Sequence, residues 1–335
     1  MKNKILITGV SGFIGSFLAE EALVQGYDVY GGIRSTSSKI YLQEENIHLL
    51  ELDLSSKEKM KYQLTKFLQN HTSFDYVVHN AGTTYAKKKS DYFTVNCKYM
   101  GNLVYALSET GVQLKKFILI SSLSAFGPGN DLTYAPIQLS DIPHPVSTYG
   151  QSKLCAERFL KSIINFPYLI INPTAVYGPR DRDFLQFVRM IKRGWEPYIG
   201  RNKQMVSFVY VKDLVRAVIR LLASSEMNRS YIVSDGMDYN KEQLGETIRT
   251  ILKKKAFKVK LPANPVRIIA GALEWPYRLM GRQPFLNLEK VNEISSANWL
   301  CNSRELWEDL AASPQYYLAK AMEETILWYE KSGWL

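Results

Sequence analysis

Three side chains in the first half of the chain have the types and spacing needed to move a proton. Tyr149 and Lys153 stand four apart in Tyr149-Gly150-Gln151-Ser152-Lys153, at the start of a helical pattern, so they share one helix face. A phenol has a pKa of about 10 and is a poor base at neutral pH. An adjacent ammonium, helped by the charge of a nicotinamide, favours the phenolate. One element earlier an apolar strand ends Ile120-Ser121-Ser122-Leu123-Ser124. A hydroxyl at such a terminus, Ser122 first and Ser124 as an accessory, can donate to a substrate oxygen and polarise it. Tyr149 would then exchange the proton of a substrate hydroxyl while the carbon exchanges a hydride with a nicotinamide. Lys153 can also bond the nicotinamide ribose.

That chemistry needs a dinucleotide site, and the first residues supply its signature. The buried strand 4–8 runs into Gly9-Val10-Ser11-Gly12-Phe13-Ile14-Gly15 and then into a helix over 12–25. Glycines let the backbone approach a pyrophosphate, and the helix N-terminus offers N–H groups and the positive end of its dipole. The second strand ends Gly32-Ile33-Arg34-Ser35, with no acid until Glu44. An acid there would hold a ribose 2′-hydroxyl, whereas Arg34, with Ser35 as a further donor, suits a 2′-phosphate. NADP(H) is therefore expected over NAD(H). Asp53, beside Leu54 after the third strand, has two readings: acceptor for the adenine amino group, or helix cap near Ser55. Asn80-Ala81-Gly82, small residues after the fourth strand, would let the cofactor lie along the strand ends.

The elements that hold these residues alternate. Strands are expected at 4–8, 27–33, 48–53, 74–80, 116–122 and 168–172, with helices at 12–25, 56–70, 90–110 and 149–164 between them. Such alternation implies an α/β Rossmann-type doubly wound parallel sheet. After Pro173 the rhythm changes, with helices at 183–193, 212–223 and 241–254 and strands at 207–211 and 230–234. The expected division is a cofactor domain over 1–175 plus about 206–235. A smaller, mostly helical substrate lobe would cover about 176–205 plus 236–335.

Bulk properties narrow the classes. The 335 residues are 46% hydrophobic, enough for a large core. Cys97, Cys155 and Cys301 suggest neither a disulfide framework nor a zinc site, and fit a reducing, cytoplasmic setting. The sequence shows no secretory signal pattern and no apolar run long enough to span a membrane. The net charge is +10, with Lys87-Lys88-Lys89 and Lys253-Lys254-Lys255 as triple runs. These read as solvated faces or as attraction to an anionic lipid surface or substrate. No nucleic-acid motif accompanies them, so a nucleic-acid partner is not expected.

The ordered set of motifs resembles the extended short-chain dehydrogenase/reductases, also called NAD(P)-dependent epimerase/dehydratases. The resemblance runs through the glycine turn, Asp53-Leu54, His79-Asn80-Ala81-Gly82, Asn96, Ser122 and Tyr149/Lys153. It continues in Asn172-Pro173-Thr174-Ala175-Val176-Tyr177-Gly178-Pro179-Arg180 and Phe208-Val209-Tyr210-Val211-Lys212-Asp213, and so covers roughly 1–220. It implies that Pro173 and Val176 lie near the nicotinamide, that Tyr177 can meet substrate, and that Asn96 supports the active site. Asn96 reads equally well as a buried structural amide. It also implies pairing into a homodimer.

Within that family the departures matter. Dehydratases carry an Asp-Glu pair after the catalytic hydroxyl; here Leu123 and Ser124 stand there, which argues against dehydration. Many nucleotide-sugar epimerases grip the diphosphate with an arginine where this chain has Val206 after Met205, although Arg201 or Arg282 can compensate. The segment Asn264–Met280 is rich in apolar residues, among them Val266, Ile268, Ile269, Leu273, Trp275 and Tyr277. It reads as a core helix broken at Pro276, or as a lid or membrane-surface helix with Arg267 and Arg278 facing headgroups. Tyr27–Ser35 is similar to dihydroflavonol-reductase-like and hydroxysteroid-dehydrogenase-like members, a group that includes bacterial 3-ketosphinganine reductases. The leading expectation is therefore reduction of a ketone on a hydrophobic lipid, of 3-ketosphinganine type. The alternatives are a nucleotide-sugar epimerase or 4-reductase, and a non-catalytic NADP(H) sensor, which intact Ser122, Tyr149 and Lys153 disfavour.

Overall fold

The computed structural model describes residues 2–42, 46–71, 73–200, 203–279 and 287–335. Glu44, Arg201, Met280 and Arg282, and the side chains of Trp275, Pro276 and Arg278, lie outside the described residues. In chain order the elements begin β1 (Lys4–Thr8), α1 (Phe13–Val24), β2 (Asp28–Ile33), β3 (Ile47–Glu51), α2 (Lys57–Asn70) and β4 (Tyr76–His79). Next come α3 (Lys89–Phe93), a π-helical turn (Thr94–Lys98), α4 (Tyr99–Glu109), β5 (Lys116–Ile120), α5 (Thr148–Lys161) and β6 (Tyr168–Pro173). Then follow β7 (Ala175–Tyr177), α6 (Asp183–Lys192), β8 (Trp195–Ile199), β9 (Met205–Val206), β10 (Phe208–Tyr210), α7 (Val211–Ala223) and β11 (Arg229–Val233). The chain ends with β12 (Tyr239–Asn240), α8 (Lys241–Leu252), β13 (Phe257–Leu261), α9 (Ala263–Leu279), α10 (Leu288–Ser295), β14 (Asn298–Trp299), α11 (Arg304–Asp309) and α12 (Leu318–Lys331).

Two compact units divide the chain. The first comprises Met1–Ser122, Ser152–Asn172 and Val215–Tyr231; the second comprises Leu123–Gln151, Pro173–Leu214 and Ile232–Leu335. The expected division assigned 123–151 to the cofactor domain, but those residues cluster with the second unit, as do Pro173–Ala175, 206–214 and 232–235.

The main sheet has seven strands in the order β11-β6-β5-β4-β1-β2-β3, and the pairs from β6 across to β3 run parallel. The Rossmann-type expectation is met. Strands β4 and β5 are buried along their whole length, which is why they read as apolar runs and not as alternating patterns. On one side Met60, Leu64, Met100, Leu103, Phe117 and Leu160 pack into one core cluster. The strand order reverses between β1 and β4, the crevice where open α/β sheets bind ligands. The expected helix over 90–110 is interrupted at Thr94–Lys98 by the π-helical turn.

The second unit holds three small sheets: β7 with β10, β9 between β12 and β14, and β8 with β13. Most of these strands escape sequence reading because two or three residues are too few to show a period. Helix α9 continues past position 276 to Leu279. Only part of its circumference is core: Val266 and Ala270 are buried, while Ile268, Ile269 and Leu273 are exposed. None of the described helices is long and apolar enough to cross a membrane.

Candidate functional site

The cofactor turn is built by steric exclusion. Gly9 has φ +68°, and a Cβ there would lie 2.8 Å from Ala81 N and Cα. A Cβ on Gly15 would lie 2.1 Å from Gly9 O. The turn is therefore pressed against the end of β4 on one side and against the first turn of α1 on the other. Asn80 Nδ2 donates to Gly9 O at 3.3 Å, and Ala81 N donates to Thr8 Oγ1 at 3.2 Å. Gly12 is the N-cap of α1; no side chain caps it and no acid lies in the first turn. A helix N-terminus left in that state suits a diphosphate.

Thr8 Oγ1 also meets Nδ1 of the buried His79 at 2.9 Å. Burial first, and then the positive charge of Lys153, push the His79 imidazole down to about 3 from 6.5. Below pH 6.5 the unfolded chain takes up a proton that the folded chain refuses. Stability present above that pH is thus lost as pH falls through 3, by at most on the order of 5 kcal/mol. Acid unfolding of His79→Leu should show a shallower dependence on pH over this window than the parent. An unchanged slope would show that His79 does not drive it.

Arg34 and Ser35 are exposed at the end of β2. Asp53 turns its carboxylate back on its own loop, accepting from Ser55 N at 3.1 Å and facing Lys59 Nζ at 3.3 Å. Ser56, and not Asp53, is the N-cap of α2. The side-chain bond from Ser55 is the largest influence lowering the Asp53 pKa.

Helix α5 carries both Tyr149 and Lys153, one turn apart. Lys153 is buried, and its Nζ donates to Ile120 O, the last residue of β5, at 2.9 Å. A Cβ on Gly82 would lie 3.4 Å from that Nζ and 3.0 Å from Asn96 Oδ1, so the glycine leaves room for both. Burial pushes the ammonium down to about 8, opposed by the Glu157 carboxylate one turn further on. Glu157 is buried and accepts from Asn172 Nδ2 at 2.6 Å and from the Ser121 hydroxyl. Desolvation raises its pKa, against the pull of those two bonds. Asn172 Nδ2 also donates to Ser122 O at 3.1 Å, tying the β5 terminus to β6. Sequence reasoning passed over Glu157, although the four-residue step from Lys153 was the same one that selected Lys153 from Tyr149.

Asn96 sits in the π-helical turn, an irregularity often found at functional sites. Its Oδ1 accepts from Thr83 N at 2.7 Å, and its Nδ2 donates to Thr83 O at 3.0 Å and to Ser152 Oγ at 2.9 Å. It thus fastens the loop after β4 to α5 next to Lys153 as a buried, hydrogen-bonded amide. The neighbouring Cys97 is joined to Cys155 by a disulfide, with Cα atoms 5.9 Å apart. This pair departs from the expectation of no disulfide: the two cysteines stand 58 positions apart, match no framework spacing, and are brought together only by packing.

In the second unit, the first turn of α5 rests on α10. Ser147 Oγ accepts from Gly150 N at 3.0 Å and donates to Glu293 at 2.6 Å. Glu289 accepts from Thr148 Oγ1 at 2.8 Å and from Thr148 N. Burial raises the Glu293 pKa while bonds from Ser147 and Ser124 oppose the rise. The Ser124 hydroxyl, expected to assist at substrate, is thus engaged by Glu293. A Cβ on Gly150 would lie 2.2 Å from Ser124 O, so this helix start admits only glycine at that position.

Tyr177 requires a correction. Its side chain is fully buried among Phe184, Phe208 and Tyr210, so it is a core residue and not a substrate contact. Val176 pairs with Val209 between β7 and β10, and Pro173 is the last residue of β6.

The parallel sheet and glycine turn define a Rossmann-type unit, and comparison with known proteins gives its family. Residues 5–234 match the model of the NAD-dependent epimerase/dehydratase family, and the chain belongs to that family. It is 26% identical to a UDP-glucose 4-epimerase of Vibrio cholerae over 295 residues, covering 84% of this chain and 82% of that one. It is 25% identical to a dTDP-D-glucose 4,6-dehydratase of Mus musculus over 270 residues, covering 75% and 73%. In fold it is similar to a UDP-glucose 4-epimerase of Thermotoga maritima with UDP-glucose: TM-score 0.77, 21% identity, 98% and 99% coverage. It is also similar to a UDP-glucuronic acid 4-epimerase of Bacillus cereus in complex with NAD: TM-score 0.76, 21% identity, 98% and 99% coverage.

Proposed function

We propose that the protein is an NAD(P)-dependent enzyme acting at a carbinol or carbonyl carbon of a nucleotide sugar, as an epimerase or a 4-reductase. The observation that carries this is the phenol and the buried ammonium one turn apart on α5, in a chain whose named relatives include a UDP-glucose 4-epimerase. The nicotinamide dinucleotide, when bound, supplies the hydride acceptor or donor. Tyr149 takes or returns the hydroxyl proton, Lys153 favours the phenolate, and Ser122 donates to the substrate oxygen. The uncapped α1 terminus and the glycine turn hold the diphosphate. Leu123 and Ser124 offer no carboxyl group for elimination, which weighs against a dehydratase.

A second reading is favoured by particular residues. Met205-Val206 form β9 without an arginine to hold a diphosphate, and α9 leaves Ile268 and Ile269 exposed. Both suit a ketone on a hydrophobic lipid, of 3-ketosphinganine type. Purified protein incubated with UDP-glucose or UDP-galactose, and separately with 3-ketosphinganine and NADPH, separates the two. Sugar interconversion supports the first reading. NADPH oxidation by the long-chain ketone alone replaces it with the second.

Arg34 supports NADP(H) as the preferred cofactor, because an exposed guanidinium at the β2 terminus can form charge-assisted bonds to a 2′-phosphate. Arg34→Ala should weaken NADPH binding by about 10- to 100-fold, the loss of roughly 1.5–3 kcal/mol from a charged hydrogen bond. NADH binding should change little. Titration of both dinucleotides against both proteins checks this, and equal losses would refute it.

A further inference from the structure

One surface of the second unit has no part in that chemistry. Strands β8 and β13 form a parallel ribbon in which Trp195 pairs with Phe257 and Ile199 with Leu261. Side chains alternate across such a ribbon. One face carries Glu196, held by Arg249 at 2.8 Å, and Lys258 and Lys260, each paired with Glu242 at 2.8 Å. The opposite face carries Trp195, Pro197, Ile199, Phe257, Val259 and Leu261. Helix α9 covers only its far end, where Ile199 packs on Val266, Ala270 and Val291.

At the near end Trp195 is 58% exposed and Phe257 70%, their rings in edge contact at 6.3 Å. In the same unit α9 leaves Ile268 74% and Ile269 56% exposed. The exposed charges that precede the two rings in the chain are basic. Arg193 precedes Trp195, and Lys253, Lys254 and Lys255 precede Phe257, all exposed. From Thr247 to Leu273 the chain has seven lysines and arginines and no aspartate or glutamate; of the seven, Arg249, Lys258 and Lys260 are paired with Glu196 or Glu242. The side chains of Lys253, Lys254 and Lys255 form no ion pair among the described residues.

We propose that this ribbon tip is a docking surface for a bilayer containing anionic phospholipid, with Trp195 and Phe257 entering the headgroup region and the lysines facing lipid phosphates. The observations select this occupant. Tryptophan with basic neighbours is the composition of membrane interfaces, where an amphipathic ring is wet at one end and apolar at the other. A second copy of the chain would bring like charges together. A nucleic acid would reward the cations but not the exposed isoleucines. Attachment would be peripheral and independent of which substrate the enzyme takes.

The test is co-sedimentation of the full chain with vesicles of phosphatidylcholine alone or with added phosphatidylglycerol, at low and high salt. Binding should require phosphatidylglycerol, weaken with salt, and blue-shift a tryptophan emission component that is absent in Trp195→Phe. A triple Lys253→Ala, Lys254→Ala, Lys255→Ala variant should lose on the order of 100-fold in affinity. A double Trp195→Ala, Phe257→Ala variant should lose roughly 10-fold or more. Both variants should keep the parent melting temperature and dinucleotide binding. Absence of vesicle binding overturns the proposal. So does binding that is indifferent to Trp195 and Phe257, or a polyanion such as heparin that binds the lysines while vesicles do not. Concentration-dependent self-association through the tip without vesicle binding overturns it as well.

Discussion

Tyr149→Phe is expected to lower kcat by on the order of 10²- to 10⁴-fold while leaving dinucleotide affinity and melting temperature near those of the parent. The substitution removes one oxygen and keeps the ring, so the packing of α5 is preserved. Both kcat and kcat/KM should fall together, as they do when an interaction made only in the transition state is lost. Lys153→Met should lose as much activity, but it is a less clean experiment. Its Nζ donates to Ile120 O, and removing it strands a buried acceptor at a cost of about 1–3 kcal/mol. The pair should therefore differ in a melting experiment: Tyr149→Phe unchanged, Lys153→Met destabilised. Full turnover by Tyr149→Phe on the substrate identified by the assay would remove the phenol from the mechanism and leave a dinucleotide-binding protein of another kind.

The second large effect is expected at the glycine turn, where three substitutions should rank by geometry. Gly15→Ala places a methyl 2.1 Å from Gly9 O and 2.8 Å from Gly9 C and Val10 Cα, all backbone atoms that no rotamer change can move. The turn must open, at a cost of on the order of 3 kcal/mol, equivalent to roughly 4 °C in melting temperature for a chain of this size. Dinucleotide affinity should fall at least about 100-fold, because the N–H groups that would meet the diphosphate are displaced. Gly9→Ala should be comparable, since it combines φ +68° with a 2.8 Å approach to Ala81. Gly12→Ala meets only Gly9 O at 3.3 Å and should leave stability nearly intact. Melting curves and dinucleotide fluorescence titrations of the three proteins check the order. If Gly12→Ala destabilised as much as Gly15→Ala, close packing would not be what the turn requires.

Legibility followed the range of the interaction. The glycine turn and the Tyr149/Lys153 pair are local: a few residues define a turn, and a four-residue step defines a helix face. Strands β1, β4, β5 and β6 were recognisable because strands buried on both faces need apolar runs, whereas β3 at the sheet edge is mostly exposed. Tyr177 misled for the opposite reason. It stands inside a motif whose neighbours the family resemblance led us to expect near the nicotinamide, yet its own ring fills an aromatic core. Asn96 remained evenly divided because its three hydrogen bonds go to Thr83 and Ser152, which lie distant in sequence and carry no mark of the pairing.

The amino-acid order by itself determined the parallel sheet, the dinucleotide turn and the helix that presents a phenol and an ammonium together, since each follows from backbone sterics and short-range periodicity. Folding in three dimensions decided the rest. It placed Glu157 between Ser121 and Asn172, held the start of α5 with Glu289 and Glu293 from α10, joined Cys97 to Cys155, and left Trp195 and Phe257 uncovered on a ribbon of strands far apart in sequence. Burial and long-range hydrogen bonding depend on what packs against a residue, and residue type and spacing do not encode that neighbour.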